Sequence, residues 1–358
     1  MSYATSATSA TSATSATSAT SATSATSAYN GVGGYAGILP NELLLEALES
    51  QRQGDEKVDV ALPPVPLGYP GALDDPAALG RWQSEVRLQV LQWDAMAPLQ
   101  VGVDTDAREA GLLLDGTPLV RIGQPPLATF ASQVSQVLSA AALRDERRAE
   151  ILVQVTPAIA FWTAVLPLHP ERHRHTFEWI TLAIACASSA VLRLKHALAC
   201  PRPHRLDAGV MPLLLTPGHS SLPSGHATES ACVATVLAGL LSADPAKPDT
   251  GLQAGLWRQA ARIANNRVVA GLHYPIDSLA GLLLGDAIGR YLLAASVAQV
   301  GTVEAVHLQT QDHANLSHGE TALLARFDSL RMGGAAVAVT PRSTLAWFGE
   351  QARAEWGL

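Results

Sequence analysis

The stretch that decides the fold is residues 266–277, Asn-Arg-Val-Val-Ala-Gly-Leu-His-Tyr-Pro-Ile-Asp. Arg267 closes a helical segment, the glycine after it permits a turn, and Pro275 suits the first position of the next helix. His273 is then placed just outside that second helix, four residues before Asp277. A carboxylate that accepts the Nδ1 proton of an imidazole fixes its tautomer and leaves Nε2 as a nucleophile or metal ligand. Alternatively, Asp277 simply caps its helix, and the two roles are compatible.

A second motif is Pro223-Ser224-Gly225-His226, which precedes the apolar run 231–241. Ser224 therefore stands where a helix N-cap is expected. Gly225 lets a ligand approach the backbone, and the free N–H groups and dipole of a helix start favour negative charge there. The motif predicts an anion pocket, and the alternative is an ordinary serine cap followed by a surface histidine.

A third motif, residues 195–203, contains two cations. Lys195 falls in the last turns of a helix, and prolines on both sides hold Arg202 in an extended conformation. The two side chains can therefore converge on one anion from different elements. Taken alone, the pair is also explained as a cationic helix end that the helix dipole stabilises.

Helical patterns rich in Ala and Leu run through the chain from residue 141 onward. They predict helices over 141–155, 176–198, 227–242, 253–270 and 276–300, and no strand pattern competes with them. The expected fold class is all-α, a helical bundle. The uncharged stretch 151–168 is a marginal candidate for a membrane span, whereas charges within the other helices favour a soluble bundle.

In chain order the motifs read Lys-x6-Arg-Pro, Pro-Ser-Gly-His and Arg-x5-His-x3-Asp. This pattern resembles that of the type 2 phosphatidic acid phosphatases and the vanadium-dependent haloperoxidases. The resemblance covers about residues 140–300 and departs at Asn266, where the superfamily usually has serine, although an amide can also donate and accept hydrogen bonds. The matching positions are Lys195, Arg202, Pro203, Pro223, Ser224, Gly225, His226, Arg267, His273 and Asp277.

The resemblance implies a helical bundle of the same kind with a phosphate-type oxyanion site. In a phosphatase, His273, oriented by Asp277, would attack phosphorus and form a phosphohistidine, and His226 would protonate the leaving alcohol. No cofactor is then expected. The anion would be held by Lys195, Arg202, Arg267, the Ser224 hydroxyl and the Gly225 N–H.

The same site suits a vanadate-dependent haloperoxidase, with vanadate as cofactor, His273 as the axial ligand to vanadium and His226 as acid and base. Haloperoxidases often have Trp at the position of Leu192, which speaks against this function. His219, five residues before Ser224, speaks for it, because bromide-type enzymes tend to have histidine there as a halide or substrate neighbour. A further alternative is a catalytically idle scaffold that binds phosphate.

Composition restricts the expected partners and location. With 24 basic and 31 acidic residues the net charge is -7, which argues against nucleic acid and anionic membrane surfaces. The expected partners are small molecules, either a phosphoester or a halide plus peroxide. Membrane association is possible but is not favoured. The sequence leaves the oligomeric state open. The cysteines lack the spacing of a metal site or of a disulfide framework. The first 51 residues contain no Lys or Arg, so no secretory or twin-arginine signal is visible. The expected location is the cytoplasm, and the alternative is a membrane-associated form.

Four segments are predicted from composition. Residues 1–29 hold Ala-Thr-Ser repeats and are expected to be a disordered tail. Residues 30–139 have frequent Pro and Gly breaks and are expected to be an irregular, partly helical covering region. The helical phosphatase or haloperoxidase core occupies 140–300, and a C-terminal extension occupies 301–358.

Overall fold

The computed structural model describes residues 75–155, 158–242 and 250–358. The tail predicted for residues 1–29, and the predicted covering region up to residue 74, lie outside this part. The chain divides into two compact units, Met1–Val86 and Arg87–Leu358. The four-segment organisation inferred from composition stays a prediction.

Helices and strands are numbered here in chain order. The α-helices are α1 Ser84–Met96, α2 Leu127–Ala140, α3 Arg144–Val153, α4 Ile159–Trp162, α5 Arg174–Leu198, α6 Gly225–Leu240, α7 Thr250–Val269, α8 Pro275–Ala295, α9 Glu320–Leu330 and α10 Ser343–Ala354. Short 3-10 helices are Pro76–Arg81, Ala141–Leu143, Pro203–Arg205 and Thr310–His313. The strands are β1 Leu99–Asp104, β2 Glu109–Leu114, β3 Thr117–Gly123, β4 Gly301–Glu304, β5 Val306–Leu308 and β6 Ala336–Val339.

The helices that hold the three motifs form where periodicity predicts them. Helices α5, α6 and α7 begin and end within three residues of the predicted bounds. Helix α8 is shorter than the predicted helix over 276–300. It ends at Ala295, and strand β4 begins at Gly301. The uncharged stretch 151–168 does not form one helix, since α3 ends at Val153 and α4 begins at Ile159.

The all-α expectation is correct only for the core, because the chain also forms two small sheets. Strands β1, β2 and β3 pair antiparallel, β5 adds to β3 in parallel, and β4 pairs with β6. The sequence pattern missed β2 because its residues are apolar on both faces, so the alternation typical of a half-buried strand is absent. One of the Gly-containing breaks, Asp115-Gly116, forms the turn between β2 and β3, with φ values of 47° and 80°.

Helix α8 packs closely on α6 through a stripe of glycines. Gly281, Gly285 and Gly289 recur every four residues and therefore lie on one face of α8. A Cβ at Gly285 would lie 2.1 Å from the Thr228 carbonyl oxygen, and one at Gly281 would lie 2.7 Å from that of Ser224. This close approach brings the starts of α6 and α8 together, where two of the three motifs lie.

Charged side chains within the apolar helices are paired inside the protein. Glu178 of α5 binds Arg87 at 2.6 Å, and both side chains are buried. Asp286 of α8 binds Arg290 at 2.9 Å and Arg331 at 3.2 Å. Such pairing satisfies charges that would otherwise be costly to bury.

Two helical segments in the described ranges are long and apolar enough to cross a membrane, Arg174–Arg205 and Pro275–Ala295. Their apolar windows are 56% and 83% buried inside the protein, as is also common for core helices of soluble proteins. Length and composition alone therefore do not distinguish a core helix from a span here.

The cysteines are buried, as their type and spacing predict, and all three are free: Cys186, Cys200 and Cys232. Burial raises the pKa of Cys186 and of Cys200 to about 12. These thiols therefore stay protonated near neutral pH and act as small apolar side chains.

Candidate active site

The three sequence motifs meet in one place and are joined by hydrogen bonds. Lys195 Nζ donates to the carbonyl oxygens of Ser220 and Ser221, at 3.0 and 2.7 Å, which ties the first motif to the loop before the second. The Ser224 amide donates to the Asp277 carbonyl oxygen at 2.9 Å and so ties the second motif to the third. The corner between α7 and α8 forms as its residue types predict, with a glycine at φ 77° and a proline in the first turn of α8.

His273 is a buried, oriented imidazole at this corner. Its Nδ1 lies 3.0 Å from Asp277 Oδ2, which also accepts from the Tyr274 amide at 3.0 Å, so the carboxylate both orients the ring and caps α8. Burial lowers the pKa of His273 well below the ordinary value, and the nearby cations lower it further. The neutral ring therefore carries its proton on Nδ1, facing Asp277, and presents a free electron pair on Nε2.

Two buried cations, Lys195 and Arg202, lie close enough to His273 to influence its ring. Arg202 NH1 donates to the Leu272 carbonyl oxygen at 2.9 Å and lies 3.5 Å from His273 Nε2. Burial lowers the pKa of both cations, and the Asp277 carboxylate opposes that effect. Because burying a cation is unfavourable without a compensating negative charge, the pair favours an anion at His273 Nε2.

Arg267 completes the cationic cluster from the end of α7. It is buried, and its NH2 donates to Gln154 Oε1 at 2.7 Å and to the Ile151 carbonyl oxygen at 3.3 Å. Burial lowers its pKa to about 10, so the guanidinium stays charged near neutral pH.

His226 lies in the first turn of α6 and contacts Gln154, which Arg267 also contacts. Its Nε2 is 2.7 Å from the Gln154 carbonyl oxygen. Because a carbonyl only accepts, Nε2 carries the proton of the neutral ring and Nδ1 is the atom free to take another. Burial, followed by the charge of Arg267, lowers the pKa of His226 to about 4.

Several polar atoms at the centre of the site have no partner within the described residues. Ser224 is the N-cap of α6, as predicted, yet its hydroxyl makes no cap hydrogen bond. Ser224 Oγ, Arg267 Nε and Gln154 Nε2 are buried and unpaired. A Cβ added at Gly225 would meet nothing within 4 Å, so there is open space beside the helix start.

These features fit a tetrahedral oxyanion such as phosphate or vanadate. Unpaired buried donors are unfavourable unless a ligand accepts from them, and the helix start adds free amide groups directed at negative charge. Arg202 and Arg267 supply positive charge, and a bound anion favours the charged form of Lys195, whose pKa burial lowers to about 7. No cluster of three or more His, Cys, Asp or Glu side chains suited to a metal ion occurs in the part of the chain that the structure describes.

Two positions bear on the choice between a phosphatase and a haloperoxidase, His219 and Leu192. His219 is next to the site, with Nδ1 3.2 Å from Arg202 NH2 and its carbonyl oxygen 3.0 Å from Arg202 Nε. Leu192 is 48% exposed on α5.

Gln154 is a site residue that the sequence motifs do not include. It contacts His226 through its carbonyl oxygen and Arg267 and Asn266 through Oε1. Asn266 in turn donates to Glu150 Oε2 at 2.9 Å and accepts from Arg147 at 3.3 Å. Arg147, Glu150 and Gln154 recur at helical spacing, and this polar face along α3 is the signal that could have identified them.

Asn266, the departure from the superfamily pattern, therefore holds α3 against α7. We expect Asn266→Ser to lower the free energy of unfolding by about 1–3 kcal/mol, because the shorter hydroxyl leaves buried polar partners unsatisfied. Denaturant titration measures this change, and Asn315→Ser at an exposed position is the matched control. An unfolding free energy equal to wild type would show that Asn266 does not support the site in this way.

Comparisons with known proteins agree with the resemblance that the motifs indicate. Residues 177–300 match the family model described as the PAP2 superfamily, and this segment includes all the motif residues. The chain is also 35% identical, over 94 residues, to a vanadium-dependent bromoperoxidase of Ascophyllum nodosum. That alignment covers 20% of this chain and 17% of the relative. The match to the PAP2 superfamily confirms, for residues 177–300, the resemblance that the motifs indicate.

Proposed function

We propose that the chain is a phosphomonoester hydrolase that acts through a phosphohistidine intermediate. The His273–Asp277 pair carries this proposal, since Nδ1 is held by the carboxylate at 3.0 Å while Nε2 lies 3.5 Å from Arg202 NH1. A neutral imidazole with a fixed tautomer is a competent nucleophile near neutral pH.

In the first step, His273 Nε2 forms a bond to phosphorus as the bond between phosphorus and the alcohol oxygen breaks. Negative charge on the nonbridging oxygens is stabilised by Lys195, Arg202 and Arg267, and by the unpaired Ser224 hydroxyl. His226 donates a proton to the leaving oxygen, so the alcohol departs neutral.

In the second step, water attacks the phosphohistidine and His226 accepts a proton from that water. The bond between His273 Nε2 and phosphorus breaks, and inorganic phosphate is released with the free imidazole restored. Asp277 accepts from Nδ1 and keeps the ring in place through both steps. Burial raises the pKa of this carboxyl to about 7, and the Tyr274 amide and the charges of Lys195 and Arg202 favour its ionised form.

His226 needs substrate before it can act as an acid. Its pKa of about 4 leaves it neutral near pH 7 in the free protein, and the charges of Arg267 and Lys195 are among the causes. A bound phosphate dianion counteracts those cations and so raises the pKa of His226. Proton donation is therefore coupled to filling the anion site.

A second candidate is a bromide-type haloperoxidase, which the position of His219 beside Arg202 and the bromoperoxidase relative favour. Bound vanadate would supply the activation of peroxide for halide oxidation. Lys195, Arg202, Arg267, Ser224 and Gly225 would hold the anion, and His273 would be the residue that ligates vanadium. The phosphate-binding scaffold remains a third proposal, in which the same residues bind without turnover.

Two assays on one preparation test the proposal. We expect the protein without added vanadate to hydrolyse p-nitrophenyl phosphate, and orthovanadate to inhibit competitively with phosphate. A haloperoxidase would instead consume peroxide in a bromide-dependent way once vanadate is added. Absence of phosphate release, together with such a gain, would replace the first candidate by the second.

We also propose that the protein is soluble, since charged residues on α5 and α8 are paired inside the protein and most of the α8 apolar window is buried. Cells lysed without detergent are expected to leave the protein in the supernatant after high-speed centrifugation. Sedimentation with the membranes, reversed by detergent, would favour the membrane-associated form.

A further inference from the structure

A cavity of about 270 Å³ lies among α4, α5, α6 and α7. Its lining includes Trp162, Ser188, His226, Glu229, Val233 and Ile263. Of these residues, only His226 belongs to the motifs of the anion site. The cavity therefore opens a second space beside one catalytic side chain.

Helical spacing places this cavity next to the anion site on three helices. Ser188 precedes Lys195 by seven residues on α5, and Glu229 follows His226 by three residues on α6. Ile263 of α7 precedes Arg267 by four residues. Each spacing keeps the two members of a pair on one helix face, at about 10, 4.5 and 6 Å along the axis. The cavity therefore lies one to two helical turns from the anion site, toward the middle of α5, α6 and α7.

The lining is largely apolar and is not suited to an anion. Trp162, Val233 and Ile263 are buried apolar side chains. Glu229 is hydrogen-bonded to Ser188, and burial raises the pKa of its carboxyl to about 7. The carboxyl is then neutral in weakly acidic solution and repels anionic groups at higher pH.

We propose that this cavity holds the alcohol part of the phosphoester, and that it selects a compact, uncharged, largely apolar group. The inference rests on the proposed hydrolase function. In-line displacement puts the leaving oxygen on the side of phosphorus opposite His273, next to the histidine that protonates it. His226 is among the described residues that line the cavity, and His273 is not.

The volume limits the size of the group. Pockets for drug-sized ligands span about 300–1,000 Å³, so this cavity suits a single ring or a short alkyl chain. The Trp162 ring supplies a flat apolar wall against which a ring can pack.

Binding of phosphonates tests the proposal without depending on turnover. Calorimetry would compare methylphosphonate, benzylphosphonate and 3-phosphonopropionate, which share the anion and differ in the attached group. We expect wild type to bind benzylphosphonate at least about tenfold more tightly than methylphosphonate, and 3-phosphonopropionate no more tightly than methylphosphonate.

Two variants fill the cavity from two of its lining helices, Val233→Phe on α6 and Ser188→Phe on α5. Each is expected to remove the preference for benzylphosphonate, while Val297→Phe, the same change at a position that is 44% exposed, keeps it. Using both variants guards against one that fails to fold, and circular dichroism checks each.

The outcomes separate this inference from the proposed function. If wild type shows no preference for benzylphosphonate, or if both variants fold and retain that preference, the cavity does not hold the attached group. If the preference follows the predicted pattern but no phosphoester is hydrolysed, the binding cavity stands and the hydrolase proposal fails. Hydrolysis of p-nitrophenyl phosphate without the phosphonate preference would leave the hydrolase and overturn the cavity.

Discussion

His273→Ala is expected to lower the turnover of p-nitrophenyl phosphate by at least about 10⁴-fold, because the variant has no atom that can form the bond to phosphorus. Binding of phosphate should persist, since the three cations and the helix start remain. The comparison of kcat with the dissociation constant of phosphate, measured on the same preparation, separates the loss of a nucleophile from a collapsed site.

His196→Ala is the matched control, because His196 lies on α5 close to Lys195 in sequence but is exposed. It should retain wild-type turnover. Turnover of His273→Ala within about tenfold of wild type would rule out the phosphohistidine route. Trapping of labelled phosphate on wild type, but not on the variant, would locate the intermediate directly.

Arg267→Ala is expected to weaken vanadate binding by about 1–3 kcal/mol, the range for loss of a charge-assisted hydrogen bond. Phosphate binding should weaken less, because vanadate resembles the pentacoordinate arrangement and relies more on the placement of each donor. The unpaired Nε of Arg267 makes this residue the most informative of the three cations.

Lys195→Ala and Arg202→Ala should act in the same direction and should also lower thermal stability. Both side chains hold loop carbonyl groups, those of Ser220 and Ser221 for Lys195 and that of Leu272 for Arg202. Arg258→Ala removes an exposed arginine from the same helix as Arg267 and should change neither affinity. Equal weakening of vanadate and phosphate by Arg267→Ala would contradict a site shaped for the transition state.

The helices around the site could be predicted from sequence because Ala- and Leu-rich periodicity, Pro275 and the glycine before His273 act locally. The strands could not be predicted from the sequence in this way. Strand β2 is apolar on both faces, and β5 joins β3 across more than 180 residues of chain, so its pairing depends on the folded core. The close contact of α6 with α8 was also not predicted, because the glycine stripe of α8 has meaning only beside its partner.

The motif residues could be predicted because each stands at a helix end with a recognisable turn or cap. What the sequence did not show is that Ser224 leaves its hydroxyl unpaired, or that Gln154 connects His226 to Arg267. Gln154 follows the end of α3 and carries no motif of its own. The helical spacing of Arg147, Glu150 and Gln154 marks a polar face, but that spacing does not show that the face packs against α7.

The central claim is that the three motifs form one oxyanion site, and calorimetric titration of the folded protein with orthovanadate tests it most directly. We predict saturable binding of one vanadate per chain and displacement of the bound vanadate by phosphate. Vanadate should bind more weakly to Arg267→Ala than to wild type, and equally well to Arg258→Ala. Folded protein that neither binds vanadate nor loses or gains activity in its presence would contradict the claim.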